Sequence, residues 1–169
     1  MSKTKLYAAI AAVIMAGTIS AAVGFSVSAE PQKHEFKARL QGFNEVPAIS
    51  STGSGTFKAR VSEDGTSIEF ELTYSDLESA AVAAHIHLGQ TDVNGGVSAF
   101  LCGGGGKPAC PASGTVTGTI TAAFVIGPAG QGIAAGELDE LVTAMREGVT
   151  YANVHTTGHP GGEIRGQLK

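Results

Sequence analysis

Gly55-Thr-Phe-Lys-Ala-Arg-Val61 and Ser67-Ile-Glu-Phe-Glu-Leu-Thr-Tyr74 stand on either side of Asp64-Gly65. In the second run Ile68, Phe70, Leu72 and Tyr74 alternate with Glu69, Glu71 and Thr73. A period of two puts the apolar set on one face of a strand and the polar set on the other. Asp-Gly between two such runs is the signature of a hairpin turn. This pair of runs therefore predicts an antiparallel hairpin with one buried face.

Working outward, the same rhythm recurs at Glu35–Leu40, Val82–Leu88, Val97–Leu101, Gly114–Val125, Tyr151–His155 and Gly162–Leu168, with Asn94-Gly95 as a further turn signal. Short strands at this spacing predict an all-β fold, an antiparallel Greek-key-like sandwich or barrel. One stretch breaks the period. In Gly136–Gly148, Leu138, Leu141, Val142 and Met145 fall on one helical face. Glu137, Asp139 and Glu140 suit the positive end of the helix dipole, and Gly148 suits a left-handed C-terminal position. The expectation is one short helix that caps or crosses over the β-structure.

The first residues read as a leader. Lys3 and Lys5 precede the uncharged apolar stretch Leu6–Ala22, and Val27-Ser28-Ala29 ends in the small residues that signal peptidase accepts. Residues 1–29 are expected to be a signal peptide cleaved after Ala29, with retention as an anchor the alternative. Residues 30–169 then form a single exported domain: secreted, periplasmic or held at the cell surface, with no membrane association once the leader is removed. Of the 11 basic residues, Lys3 and Lys5 go with the leader. Nine then face 15 acidic residues, a net charge of about −6. No run of Lys or Arg is present to neutralise phosphates, which argues against nucleic acid as a partner. Three tyrosines and no tryptophan leave few aromatic platforms for sugars or bases.

Cys102-Gly-Gly-Gly-Gly-Lys-Pro-Ala-Cys110 holds both cysteines of the chain. In an exported protein this close pair is expected to form a disulfide that clamps the glycine loop. The tetraglycine and lysine do not make a phosphate loop, because Pro108 stands where a Ser or Thr is needed.

His85-Ile-His87 carries the chemistry. Two residues apart on a strand, both imidazoles point to one face while Ile86 points to the other. Asn153-Val-His155-Thr-Thr-Gly-His159-Pro-Gly-Gly-Glu163-Ile-Arg165 adds two histidines, a carboxylate and an arginine. Converging neutral imidazoles suit copper or zinc. The expected metal set is His85, His87 and His155, with His159 or Glu163 as auxiliary ligands. Glu45, Asn153 and Arg165 are expected in structural or supporting positions, Arg165 pairing with Glu163 or Glu45. The competing expectation gives the histidines structural duty only, with hydrogen bonds to backbone or to Asn44, Glu45 and Asn153.

Taken together, Leu40-Gln-Gly-Phe-Asn-Glu-Val-Pro47, Gly53-Ser-Gly55, His85-Ile-His-Leu-Gly89, Asn94-Gly-Gly96, Gly118-Thr-Ile120, Tyr151-Ala-Asn-Val-His155-Thr and Gly161-Gly-Glu-Ile-Arg-Gly-Gln-Leu168 resemble the CHRD domain, named for chordin. The resemblance spans most of residues 30–169. In chordin such domains are repeated inside a protein that binds a growth factor, the microbial members are generally single exported domains, and the resemblance brings no catalytic activity. A more distant likeness is to copper/zinc superoxide dismutases, in which a His-x-His strand pair, a later histidine and an arginine serve the copper. His85, His87, His155 and Arg165 follow a comparable order, but the zinc-binding loop and bridging histidine of that family are missing. The likeness extends only to a mononuclear site. Three readings follow: a binding module holding a transition metal, an interaction module with structural histidines, and a copper redox enzyme. The first is preferred, with no catalytic residue assigned.

Overall fold

The structure is a computed structural model that describes residues 32–169, so the expected leader, 1–29, lies outside the described residues. Eight strands follow in order: β1 (Glu35–Gln41), β2 (Ser54–Val61), β3 (Ile68–Ser75), β4 (Ala81–Leu88), β5 (Gly96–Cys102), β6 (Gly114–Ile120), then helix α1 (Leu138–Arg146), β7 (Thr150–Thr156) and β8 (Ile164–Gln167). All pairings are antiparallel, in the order β5-β4-β7-β8-β1-β2-β3-β6. The two end strands, β5 and β6, approach one another and nearly close the sheet into a barrel. With β5 beside β6, strands β4, β5 and β6 are consecutive neighbours, and β3 lies beside β6 while its connection crosses to β4. That is a Greek key. The all-β expectation with one short helix holds.

The β2–β3 hairpin forms as its alternation dictates. Phe57 faces Leu72 and Ala59 faces Phe70 across the ladder. Ile68, Leu72 and Tyr74 are sealed from solvent, with Phe36, Leu40 and Phe57 from the neighbouring strands. Burying a side chain of this size contributes about 1.5–3 kcal/mol. At the turn, Asp64 Oδ1 accepts hydrogen bonds from Ser62 Oγ, Thr66 N and Thr66 Oγ1. Gly65 takes the left-handed backbone the turn requires (φ 71°). α1 sends Leu138, Leu141, Val142 and Met145 into the same core, and Gly148 ends it at φ 70°.

One expected strand is shortened. Gly114–Val125 is strand only to Ile120; Ala122–Phe124 turn as a 3₁₀ helix, and Val125 makes a single bridge to Ala99. At the end of the chain Gly162 adopts φ 128°, which delays β8 until Ile164.

The strands β4, β7 and β8 position everything that follows. Their even-numbered residues Ala84, Ile86, Ala152, Val154 and Ile164 form core with no exposure. Their odd-numbered residues form a second, polar face. There His85, His87, Asn153 and Arg165 are buried, as are Glu163, just before β8, and Glu45, from the connection after β1.

Candidate metal centre

Register assembles the site. β7 lies beside β4 with Asn153 opposite His85, Tyr151 opposite His87 and His155 opposite Ala83. His155 is thus diagonal to His85 on the shared polar face. The ring centroids of His85 and His155 are 4.7 Å apart, those of His85 and His87 5.3 Å, and those of His87 and His155 5.6 Å. One ring nitrogen from each lies within 4.8 Å of the others. Three nitrogens around one ion at Zn–N distances of 2.0–2.1 Å stand about 3.3–3.5 Å apart. Ligation of one ion would require the rings to rotate inward to close the remaining gap.

The hydrogen bonds set the protonation. His87 Nδ1 is 3.0 Å from the carbonyl of Gly95, and His155 Nδ1 is 3.0 Å from the carbonyl of Pro160. A carbonyl only accepts, so each Nδ1 carries the proton and donates it, and each Nε2 keeps a lone pair. Those two Nε2 atoms, and both ring nitrogens of His85, are buried and have no hydrogen-bond partner in the protein. Unpartnered buried polar atoms are costly and few in native folds. One such nitrogen from each of the three adjoining imidazoles fits the donor set of a nitrogen-preferring ion, while the other nitrogen of His85 carries the proton of the neutral ring. Backbone carbonyls holding the far nitrogen are also the usual outer support of a ligating histidine.

Electrostatics keeps the lone pairs free. Burial, with His155 and His87 as neighbours, pushes His85 down to about 3. Burial lowers His87 to about 4, the Gly95 bond opposing it and His155 and Arg165 adding to it. Burial lowers His155 as well, offset in part by the Pro160 bond. At neutral pH all three are neutral, the form a metal takes.

Aromatic rings enclose the group. Phe100, opposite His85 on β5, meets it edge-on at 4.3 Å. Tyr151 stacks on His87 at 4.7 Å and 7°. The Arg165 guanidinium lies 3.4 Å from the centroid of the Tyr151 ring, and the Tyr151 hydroxyl accepts from Gly95 N at 3.1 Å. Gly95 is a glycine by necessity: a Cβ there would stand 1.6 Å from the Leu88 carbonyl oxygen. Cys102 and Cys110 form the expected disulfide. It ties down the glycine loop whose Gly104 and Gly105 lie against Phe100, leaving no room for a side chain there.

The other expected residues have different work. Glu163 Oε1 accepts from Ser51 Oγ (2.7 Å) and Glu78 N (2.8 Å), and Oε2 accepts from Thr156 Oγ1 (2.7 Å). Burial alone would raise Glu163, but these bonds and nearby His159 hold it below the usual carboxylate range. His159 Nε2 sits 3.2 Å from Glu78 Oε2. The structure therefore does not bring Glu163 and His159 into the histidine group, because each is engaged in fixing a loop. Arg165 pairs with neither Glu163 nor Glu45. It donates instead to Asn94 Oδ1 (3.1 Å) and to the carbonyls of Gln90 (3.2 Å) and Val93 (2.7 Å), and so holds the β4–β5 turn. Asn153 does not serve a histidine; it donates to Glu45 Oε1 at 2.6 Å and to the Ile164 carbonyl. Burial raises Glu45 to about 7 against the lowering effects of Asn153, Arg165 and His159. Tyr151 and Phe100 escaped the sequence reading, although Tyr151 shares the odd-numbered parity of Asn153 and His155.

No curated protein and no solved structure matches the chain. The family model of the CHRD domain matches residues 36–168, nearly all of the described chain. The resemblance in the motifs and the match along the sequence agree, and the chain belongs to the CHRD-domain family.

Proposed function

We propose that this CHRD domain is an extracellular interaction module that holds one transition-metal ion, copper or zinc, on His85, His87 and His155. The observation that carries the reading is that three neutral imidazoles each present a buried ring nitrogen without a protein partner to one shared point. A purely structural role for these histidines leaves the same atoms unexplained, since structural histidines use their ring nitrogens. In this reading an ion supplies cross-linking of β4 to β7 on the polar face. The chain's own groups do the rest: the Gly95 and Pro160 carbonyls orient two ligands, and Phe100 and Tyr151 shield the group from water. The disulfide and the family both fit an oxidising, extracellular setting. Export through cleavage after Ala29 completes the proposal.

The test is calorimetric titration of chelator-treated protein with Cu(II) and with Zn(II), beside the metal content of the protein as purified. One-to-one binding that is lost in a His85→Ala/His87→Ala double variant is the expected result. Uptake by the double variant equal to that of the wild type refutes the assignment. For Cu(II), the electron paramagnetic resonance spectrum should carry hyperfine structure from three nitrogens.

A further inference from the structure

A second site lies on the seam between β1 and β8, and none of its lining residues is a histidine. The seam is held at two points, Gln41 opposite Arg165 and a reciprocal backbone pair between Lys37 and Lys169. Over the stretch between them opens a cleft of about 340 Å³. Lys37, Arg39, Arg165 and Lys169 line it, and Asp92 is its one acidic side chain. The sequence has no basic run because these residues come from opposite ends of the domain. The fold collects four cations in a chain whose formal net charge is −4.

Several features mark this as more than a solvated face. Lys58 on β2, Lys37 on β1 and Lys169, just past the end of β8, stand side by side. Like charges directly opposite one another destabilise a sheet. Lys58 is answered by Glu71 at 2.9 Å, but Lys37 has only Glu35 at 4.0 Å. Arg39 and Lys169 have no carboxylate within ion-pair distance among the described residues. The fourth cation, Arg165, is 2 % exposed and clamped by three hydrogen bonds, so its charge is fixed at the base of the cleft. At the rim Phe43 is 68 % exposed, although a phenylalanine gains most by burial.

We propose that this cleft binds an acidic glycan, taking a uronate carboxylate between Arg39 and the lysines while Phe43 packs on the sugar ring. The exposed guanidinium of Arg39 matches a carboxylate in a two-point contact. One exposed aromatic ring supplies the apolar face that the C–H side of a pyranose needs. An acidic peptide strand is the less suitable occupant. β1 is flanked by β2 and β8, so there is no free strand edge here on which a peptide backbone could pair.

The experiment titrates the purified protein, in EDTA, with oligogalacturonate and with its methyl ester, which keeps the rings and loses the charge. Binding of the acid form, weakening with salt and absent for the ester, is expected. Arg39→Gln and Lys169→Gln should each weaken it about tenfold, the value of one charge-assisted contact. Phe43→Ala should weaken it about fivefold. All three side chains are exposed, so the melting temperatures of the variants should match the wild type. Binding of acid and ester alike, or no loss in Arg39→Gln and Lys169→Gln, overturns the proposal. So does equal affinity for polyglutamate, an oligonucleotide or inorganic phosphate, which would reduce the cleft to a general anion site. The histidine proposal is untouched by any of these outcomes, because the assay contains no metal.

Discussion

Replacing His85 with leucine should stabilise the metal-free protein. His85 is 8 % exposed, and neither ring nitrogen has a protein partner. Leaving a buried polar group unsatisfied costs about 1–3 kcal/mol, and exchanging it for an apolar group of similar size removes that cost. Phe100, 4.3 Å away, offers leucine an apolar neighbour. The net expectation in EDTA is a gain of roughly 2 kcal/mol, which for a domain of this size raises Tm by roughly 6–10 °C. Excess Zn(II) or Cu(II) should reverse the ranking. An ion at 100 times its Kd adds about 2.7 kcal/mol to the wild type and nothing to a variant that has lost a ligand. The assay is urea unfolding of both proteins with chelator and with metal, followed by circular dichroism. A His85→Leu protein less stable than the wild type in EDTA refutes the reasoning, because it would mean that the imidazole is satisfied in the metal-free fold.

Acid should weaken the metal-free domain before its ordinary carboxylates titrate. His87 and His85 stay neutral in the fold down to about 4 and 3, while in the unfolded chain they take up protons below 6.5. The unfolded state then binds more protons, and stability falls as pH drops from about 6.5 towards 4, by about 2 kcal/mol for each histidine at pH 5. Glu45 acts in the opposite sense: it gains its proton in the fold near 7 and in the unfolded chain only near 4.5. Stability from Glu45 therefore rises as pH falls through that interval, offsetting part of the histidine loss. A Glu45→Gln variant should show the steeper acid loss in chemical unfolding between pH 7 and 5; an unchanged slope counts against the neutral buried carboxyl. Reducing the disulfide, or replacing Cys102 and Cys110 by alanine, should cost about 2.5 kcal/mol for a loop with a sequence separation of 8. Unfolding with and without reductant measures it, and the loosened loop should also raise hydrogen exchange at Phe100.

Much of the fold is written in short-range pattern. The alternation Ile68-Phe70-Leu72-Tyr74 fixes a strand, its inner face and, with Asp64-Gly65, its partner. The His85–His87 pair follows from the same period, and His155 joins it once β7 lies beside β4. The strand from Thr121 to Val125 failed because Ala122–Phe124 lie past the end of β3, where no ladder partner remains to hold them extended. The roles of Glu163, Asn153 and Arg165 were out of reach for a different reason. Their partners, Ser51, Glu45 and Gln90–Asn94, lie 71 to 112 residues away, and each lone side chain is compatible with several acceptors. The cationic cleft is the extreme case, assembled from the two ends of the domain, which no window along the chain contains.

The turn between β4 and β5 ties several of these groups to one another. Gly95 accepts from His87 Nδ1 and gives its N–H to Tyr151, while Asn94 accepts from Arg165 and donates to the Val46 carbonyl. His87 cannot swing away from the other two imidazoles without breaking its bond to this turn. For a ligand shared with an ion, that makes departure a gated event. If an ion binds there as proposed, the lifetime of the bound state should follow how often residues 90–95 open, and two proteins of equal affinity would differ in exchange rate if their turns differed. Slow release from a site of ordinary strength is the kinetic counterpart of building ligands on a strand and locking them from a loop.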